Sequence, residues 1–110
     1  MKKLLAAVLM VPAVAHAGFL SGNKLYDNLI SDQTAERLYA LGYVTGVHDA
    51  LEQTNHCSPS NVTAGQVRDV VRRYFDQNPE FRNFDADILI RVALSNAWPC
   101  AKNKSSKKRA

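Results

Sequence analysis

The pair of cysteines, Cys57 and Cys100, limits more than any other feature how this chain can fold. An even cysteine count in a small exported domain is typical of a disulfide. The closed loop would span 43 residues, and its lost chain entropy corresponds to about 4 kcal/mol of stability. The alternatives are a catalytic thiol at Cys57 beside His56, or zinc held by His48, His56 and Cys57. That set has no fourth ligand, so the sequence predicts one disulfide and neither a metal nor a cofactor.

The N-terminus predicts that the chain is exported. Residues 1–17 read MKKLLAAVLMVPAVAHA, in which two lysines precede an apolar run and a small-x-small ending. The run has about half of the roughly 20 residues that span a bilayer. We therefore expect a signal peptide cleaved after Ala17, with no stable membrane anchor. Gly18 follows the cleavage point, where lipid attachment would require a cysteine. The mature chain is expected to be soluble and periplasmic.

Charge divides the mature chain into a folded body and a tail. The body, residues 18–101, has seven basic and ten acidic residues, a net charge of −3. The segment 102–110 has five basic residues and no acidic ones, which predicts a solvated, disordered end. The alternative for this tail is attraction to an acidic partner or an anionic membrane face. A nucleic-acid partner is not expected outside the cytoplasm.

Helical periodicity dominates the body and predicts four helices. The first runs over 22–30, and the second over 33–53 with Asp32 as its cap. The third follows a capping box formed by Thr63 and Gln66 and ends at Asn78-Pro79, because proline disfavours the helical conformation of the preceding residue. The segment 79–84 is then a turn or short helical piece. The last helix runs over 86–98, with Asp85 as its cap and Pro99 as its end.

Apolar stripes on these helices predict an all-α, four-helix domain in which the disulfide joins the end of the last helix to the entrance of the third. Residues expected to face the core are Leu25, Leu29, Tyr26, Ala40, Tyr43, Val44, Val47, Leu51, Val67, Val70, Val71, Tyr74 and Phe75. The last helix is apolar nearly all round, through Ile88, Leu89, Ile90, Val92, Ala93, Leu94 and Ala97. Such a helix is central or is buried at an interface.

Two glycines lie four residues apart on the second helix, Gly42 and Gly46. Glycine inside a helix costs about 1 kcal/mol relative to alanine. We therefore predict that another helix packs closely there, within the fold or across a dimer. On the outer face of the third helix, Asp69–Arg73 and Arg72–Asp76 have the spacing of stabilising ion pairs.

Signs of catalytic chemistry are weak. His48 and Asp49 could be a base and its orienting group, but neighbours on a helix point about 100° apart, so a surface histidine is favoured. The sequence predicts a protein that acts by binding and is not an enzyme. A small hydrolase would require loss of activity on replacing His48 or Cys57.

Three successive segments resemble the Rap/Tai family of type VI secretion immunity proteins. They are GNKLYDNL (22–29), GYVTGVHDALEQ (42–53) and the segment 57–100, which opens with CSPSNVTAGQ and closes with WPC. The resemblance covers nearly all of 22–100. It implies a periplasmic all-α protein, commonly a homodimer, that binds a secreted peptidoglycan amidase of the NlpC/P60 type and covers its catalytic groove.

The same resemblance implies that protruding polar loops block the amidase. Candidate segments are the loop 55–61 and the turn 78–85. In that turn, Asn78, Glu80, Arg82 and Asn83 are expected to point outward and contact the effector.

Two other functions remain open at this point. A chain of this kind could protect against a different toxin or serve another non-enzymatic periplasmic binding role. A periplasmic acid-stress chaperone is also small, helical, exported and stapled by one disulfide. A neighbouring gene for a secreted amidase supports immunity, whereas an acid-resistance cluster supports the chaperone.

Overall fold

Residues 19–101 are described by a computed structural model of the chain. The predicted signal peptide and basic tail lie outside these residues. The described part has four α-helices, α1 (Gly22–Ile30), α2 (Thr34–Leu51), α3 (Ala64–Gln77) and α4 (Ala86–Ala97), and a short 3₁₀ helix, Pro79–Phe81. Its β structure is limited to two isolated bridges. The predicted all-α, four-helix class is confirmed.

The core lies between the four helices, and α4 packs against all three others. The largest fully buried side chains are Phe75, Leu25, Ile90, Leu94, His56, Val44, Val67 and Val71. The predicted stripe on α2 is confirmed except for its last member: Ala40 and Val44 are buried, Tyr43 and Val47 pack against the core from its edge, and Leu51 is half-buried outside the core cluster. Two polar residues are also buried, Asn28 and His56, and the imidazole of His56 is the more deeply buried of the two.

The helix ends agree only partly with the predicted caps. The capping box of α3 is confirmed, with Gln66 N donating to Thr63 Oγ1 (3.1 Å) and Thr63 N to Gln66 Oε1 (2.8 Å). Asp85 is the N-cap residue of α4, but its side chain makes no capping hydrogen bond. The prediction of Asp32 as the cap of α2 is wrong, because the N-cap residue is Gln33. The backbone N–H of Gln33 donates to the hydroxyl of Ser31.

The disulfide between Cys57 and Cys100 is present, with the two Cα atoms 4.7 Å apart. Cys57 N also donates to Trp98 O (2.8 Å), so a backbone hydrogen bond lies beside the covalent one. Together they attach the loop before α3 to the end of α4, as predicted.

The glycines of α2 do not approach another helix within the fold. A Cβ atom placed on Gly42 or Gly46 has no atom of the described residues within 4 Å beyond its immediate helical surroundings. Both positions are exposed. Close packing across a dimer therefore stays the untested half of this prediction.

The outer face of α3 forms one of the two predicted ion pairs. Arg72 Nε lies 3.8 Å from Asp76 Oδ2. Asp69 pairs with its neighbour Arg68 at 3.0 Å instead of with Arg73, because the adjacent guanidinium reaches the same carboxylate. Both pairs are solvent-exposed, so each contributes a few tenths of a kcal/mol.

Candidate functional site

The turn between α3 and α4 contains all four residues that were expected to contact an effector. Glu80 and Asn83 are exposed, in agreement with the expected orientation. Asn78 is half-buried, and its Nδ2 donates to Tyr74 O (2.8 Å), one of the last carbonyls of α3. Arg82 is also half-buried and directed inward. The turn thus brings two outward polar side chains together with two that stabilise it.

Arg82 holds the turn against α1 and α3. Its Nε donates to Phe75 O (2.9 Å), and its guanidinium carbon lies 3.7 Å from the centroid of the Tyr26 ring. The Tyr26 hydroxyl donates to Asp76, and this hydrogen bond is the main reason that the pKa of Tyr26 is raised. The Arg82 guanidinium therefore makes a hydrogen bond with a carbonyl near the end of α3 and a cation–π contact with an aromatic ring of α1.

The start of α1 holds the other side of the turn through backbone contacts. Gly22 N donates to Phe84 O (2.7 Å), and Ala86 N donates to Leu20 O (2.9 Å). A Cβ atom on Gly22 would lie 2.4 Å from Leu89 Cδ1 and 2.6 Å from Arg82 O. Only glycine permits this approach without displacing backbone. The turn is thereby fixed to a segment about 60 residues earlier in the chain.

An exposed apolar surface continues from this turn along α4. Phe84 is 50% exposed and Ile88 is 47% exposed, and the rings of Phe81 and Phe84 lie 6.1 Å apart. Val92 follows one helical turn later, and it shares a surface depression with Asn55 of the loop between α2 and α3. We call Phe84, Ile88 and Val92 the α4 face. The helix predicted to be apolar nearly all round is therefore central on one side and exposed on the other.

The α4 face joins the two segments that were expected to block an effector. At one end it begins in the turn 78–85. At the other end, Asn55 Nδ2 donates to Arg91 O (3.0 Å) and attaches the loop 55–61 to the middle of α4. In that loop Pro59, Ser60 and Asn61 are exposed. One continuous surface therefore includes parts of both candidate segments.

A compact polar cluster lies where α2 ends. His48 and Glu52 are one helical turn apart, and Gln53 reverses the chain with a positive φ of 68°, so that His56 returns to the same place. Glu52 Oε2 lies 3.1 Å from His48 Nε2 and 2.8 Å from His56 Nε2. Ser58 Oγ donates to the same oxygen at 2.7 Å. We call His48, Glu52 and His56 the His-Glu-His cluster.

Burial and hydrogen bonding shift the pKa values in this cluster. Burial lowers the pKa of His56, and it outweighs the opposing attraction of Glu52. Burial acts to raise the pKa of the Glu52 carboxyl, but hydrogen bonds from the Ser58 side chain and backbone outweigh it, and the pKa is lowered. The structure thus favours a carboxylate beside a neutral, fully buried imidazole.

Two expectations about His48 are wrong. Its side chain is only 12% exposed, so it is not a surface histidine. His48 Nδ1 also lies 3.1 Å from Asp49 Oδ1, because side-chain torsions bring the ends of the two groups together although their Cβ atoms point apart. The zinc set first considered is excluded, since Cys57 is in the disulfide. Glu52 takes its place as the third potential ligand, and the spacing His48-x₃-Glu52-x₃-His56 could have identified it.

The side chains of Ser58, His48 and Asp49 form a chain of contacts that resembles the serine, histidine and aspartate of a hydrolase triad. His48 Nε2 is 3.0 Å from Ser58 Oγ. However, the serine hydroxyl donates to Glu52 Oε2, and that carboxylate also faces Nε2. The proton of the hydroxyl is therefore directed at the carboxylate, whereas a triad requires it on the imidazole.

Comparison with known proteins agrees with the resemblance seen in the sequence. Within residues 19–101, no helix is both long and apolar enough to cross a membrane. A comparison with curated proteins finds no match. The family model described as Rap1a immunity proteins matches residues 21–100, which includes every helix, the disulfide and the α4 face. Membership of an immunity protein family implies a non-enzymatic role in binding a cognate effector, and from this match we conclude that the chain belongs to the Rap1a immunity protein family.

Proposed function

We propose that this chain is a periplasmic immunity protein that binds a type VI secreted peptidoglycan amidase of the NlpC/P60 type and covers its catalytic groove. The observation that carries the proposal is the family match over residues 21–100. The disulfide between Cys57 and Cys100 supports the periplasmic location, because such bonds persist in oxidising compartments.

The binding surface that we propose is the α4 face with the polar residues at its edge. Exposed apolar side chains bordered by polar ones are typical of protein interfaces. Aromatic residues are enriched in such interfaces, and a few well-packed anchor residues supply most of the affinity. Phe84 is the aromatic residue of this face, and the exposed polar residues Glu80 and Asn83 lie in the same turn.

The four residues of the turn then have two different roles. Glu80 and Asn83 contact the effector directly. Asn78 and Arg82 keep the turn in its bound shape through Tyr74 O and Phe75 O. A turn that is ordered before binding loses less conformational entropy on association, so these two residues contribute to affinity indirectly.

Co-expression tests the proposal most directly. The full chain is produced with the NlpC/P60-type amidase encoded beside it, and the amidase is directed to the periplasm. We expect the chain to restore growth and to inhibit peptidoglycan cleavage by the purified amidase. Failure of the unaltered chain to do either would overturn the proposed function. A neighbouring acid-resistance cluster in place of an amidase gene would favour the chaperone.

Two matched variants test the surface separately from the function. Phe84→Ala is expected to weaken amidase binding about 30-fold, as truncation of a central aromatic residue does. Tyr39→Ala removes an aromatic side chain of similar exposure, 55%, from α2, and binding should stay unchanged. Equal affinities of the two variants, measured by calorimetry, would remove the α4 face from the proposal.

A further inference from the structure

We propose that the His-Glu-His cluster is a binding site for a divalent transition-metal ion of the zinc class. The ligands would be Nε2 of His48, Oε2 of Glu52 and Nε2 of His56. Two imidazoles and one carboxylate form a donor set that zinc accepts readily. Calcium and magnesium prefer oxygen ligands alone, so they are not the ions that this set would select.

The three donor atoms lie close enough together for one ion to reach all of them after small side-chain movements. The three ligand groups offer donor atoms that all lie within 4.8 Å of one another. Zinc bonds of 2.0–2.2 Å place tetrahedral ligands about 3.3–3.6 Å apart. The separations from Glu52 Oε2 to the two Nε2 atoms, 3.1 and 2.8 Å, need to lengthen by a few tenths of an ångström to reach this range. The two imidazoles need to approach each other by up to about 1 Å, because the widest donor separation is up to 4.8 Å. Ser58 Oγ lies 3.0 Å from His48 Nε2 and 2.7 Å from Glu52 Oε2, so it is a candidate for a fourth ligand.

The buried imidazole of His56 points to the same conclusion independently. The side chain is 0% exposed, and its Nε2 makes no hydrogen bond although Glu52 Oε2 is 2.8 Å away. Its Nδ1 has a single long contact, 3.4 Å, with Asn55 Nδ2. A buried polar atom without a well-directed hydrogen bond destabilises the folded state. A cation between Nε2 and the carboxylate would satisfy both groups.

The groups around the cluster already hold the ligands in a suitable orientation. His48 Nδ1 faces Asp49 Oδ1, the carboxylate–histidine contact that commonly orients a metal-binding imidazole. Glu52 Oε1 accepts hydrogen bonds from Ser58 N (2.9 Å) and Gln53 Nε2 (3.0 Å). Its other oxygen, Oε2, is therefore directed at the two histidines. The ion would fasten the loop after α2 beside the disulfide, and this inference does not depend on the proposed function.

The chain offers a clean test, because residues 18–110 contain only these two histidines. The processed protein, produced without a histidine tag and treated with a chelator, is titrated with Zn²⁺ by calorimetry and with Co²⁺ by visible absorption. We expect one ion per chain, the absorption of four-coordinate cobalt with imidazole ligands, and a higher Tm with Zn²⁺. No saturable binding up to ~1 mM ion would overturn the proposal.

Substitutions identify the ligands. Glu52→Gln and His48→Gln should each weaken Zn²⁺ binding by about 100-fold or more, since loss of an orienting group alone costs 10–100-fold. Glu36→Gln on the same helix is the matched control, twelve residues before His48 and so about 18 Å away, and it should bind like the unaltered protein. Circular dichroism shows which variants fold, and one folded ligand variant is sufficient. Equal Zn²⁺ affinity of that variant and Glu36→Gln would overturn the assignment.

Discussion

The two connections on either side of α3 are held in place by different means. The loop from α2 to α3 has the disulfide to Cys100, the hydrogen bond from Cys57 N to Trp98 O, and the His-Glu-His cluster at its start. The turn from α3 to α4 contains neither cysteine and so has no disulfide. It is fixed by Arg82 and by the backbone contacts with Gly22.

This difference determines how each connection responds to change. A disulfide stabilises mainly by restricting the unfolded chain, so its loss lowers the stability of the whole domain. Contacts such as those of Arg82 and Gly22 exist only in the folded state, and their loss loosens one place first. The turn at the start of the α4 face is therefore the more sensitive of the two to a single substitution.

Removal of the disulfide should have the largest effect on stability. The double variant Cys57→Ser/Cys100→Ser loses the restriction on a loop of 43 residues, which corresponds to about 4 kcal/mol of unfolding free energy. Urea unfolding measures this loss. Hydrogen exchange at the Gly22 amide, which donates to Phe84 O, should fall in protection only as far as global stability falls. A selective loss at Gly22 would show that the disulfide also holds the turn.

Gly22→Ala should have the next largest effect and should act on the turn. The added methyl would overlap Leu89 Cδ1 and Arg82 O, and because one of these atoms belongs to the backbone, we expect a loss of about 2–3 kcal/mol. Urea unfolding again gives the magnitude. Binding to the amidase should weaken at the same time, because the displaced backbone leads directly into Phe84.

Gly42→Ala is the matched control for that substitution. The position is exposed, with no described atom within 4 Å of the added Cβ beyond its own helix, so alanine should stabilise the helix by about 0.5–1 kcal/mol. A destabilised or dissociated oligomer, seen by sedimentation, would show instead that Gly42 packs against a second copy. A destabilised monomer would contradict the open surroundings of Gly42.

Local sequence signals predicted the helices, the α3 capping box and the disulfide. The helices and the capping box depend on residues close in sequence. The disulfide follows from the cysteine count, because two cysteines allow only one intramolecular pair. The special role of Gly22 could not be predicted, because it depends on where Arg82 and Leu89 lie after folding. The sequence shows that Gly42 lies inside a helix, where glycine is unfavourable. What surrounds Gly42 depends on the fold and could not be predicted.

The same limit applies to the two sites. The family resemblance implied that Arg82 points outward, and only the placement of Tyr26 on α1 shows that its guanidinium packs inward. The His-Glu-His cluster has a visible spacing of four and four. However, α2 ends at Leu51, so the return of His56 depends on the reversal at Gln53 and not on helical periodicity.

Arg82→Lys should lower stability less than the disulfide variant or Gly22→Ala does, and it should have the clearest effect on the turn. Lysine keeps the charge but loses the hydrogen bond from Nε to Phe75 O and the flat contact with Tyr26. Hydrogen bonds from charged groups contribute about 1.5–3 kcal/mol, and a lysine ammonium recovers part of this, so we expect a net loss of about 1–2 kcal/mol. Protection of the Gly22 amide should fall by more than global stability does, the reverse of the disulfide variant.

Arg73→Lys is the control, because Arg73 is exposed and such changes stay within about 0.5 kcal/mol. If Arg82→Lys matched that control in both stability and exchange, the turn would be held by its backbone contacts with α1 alone.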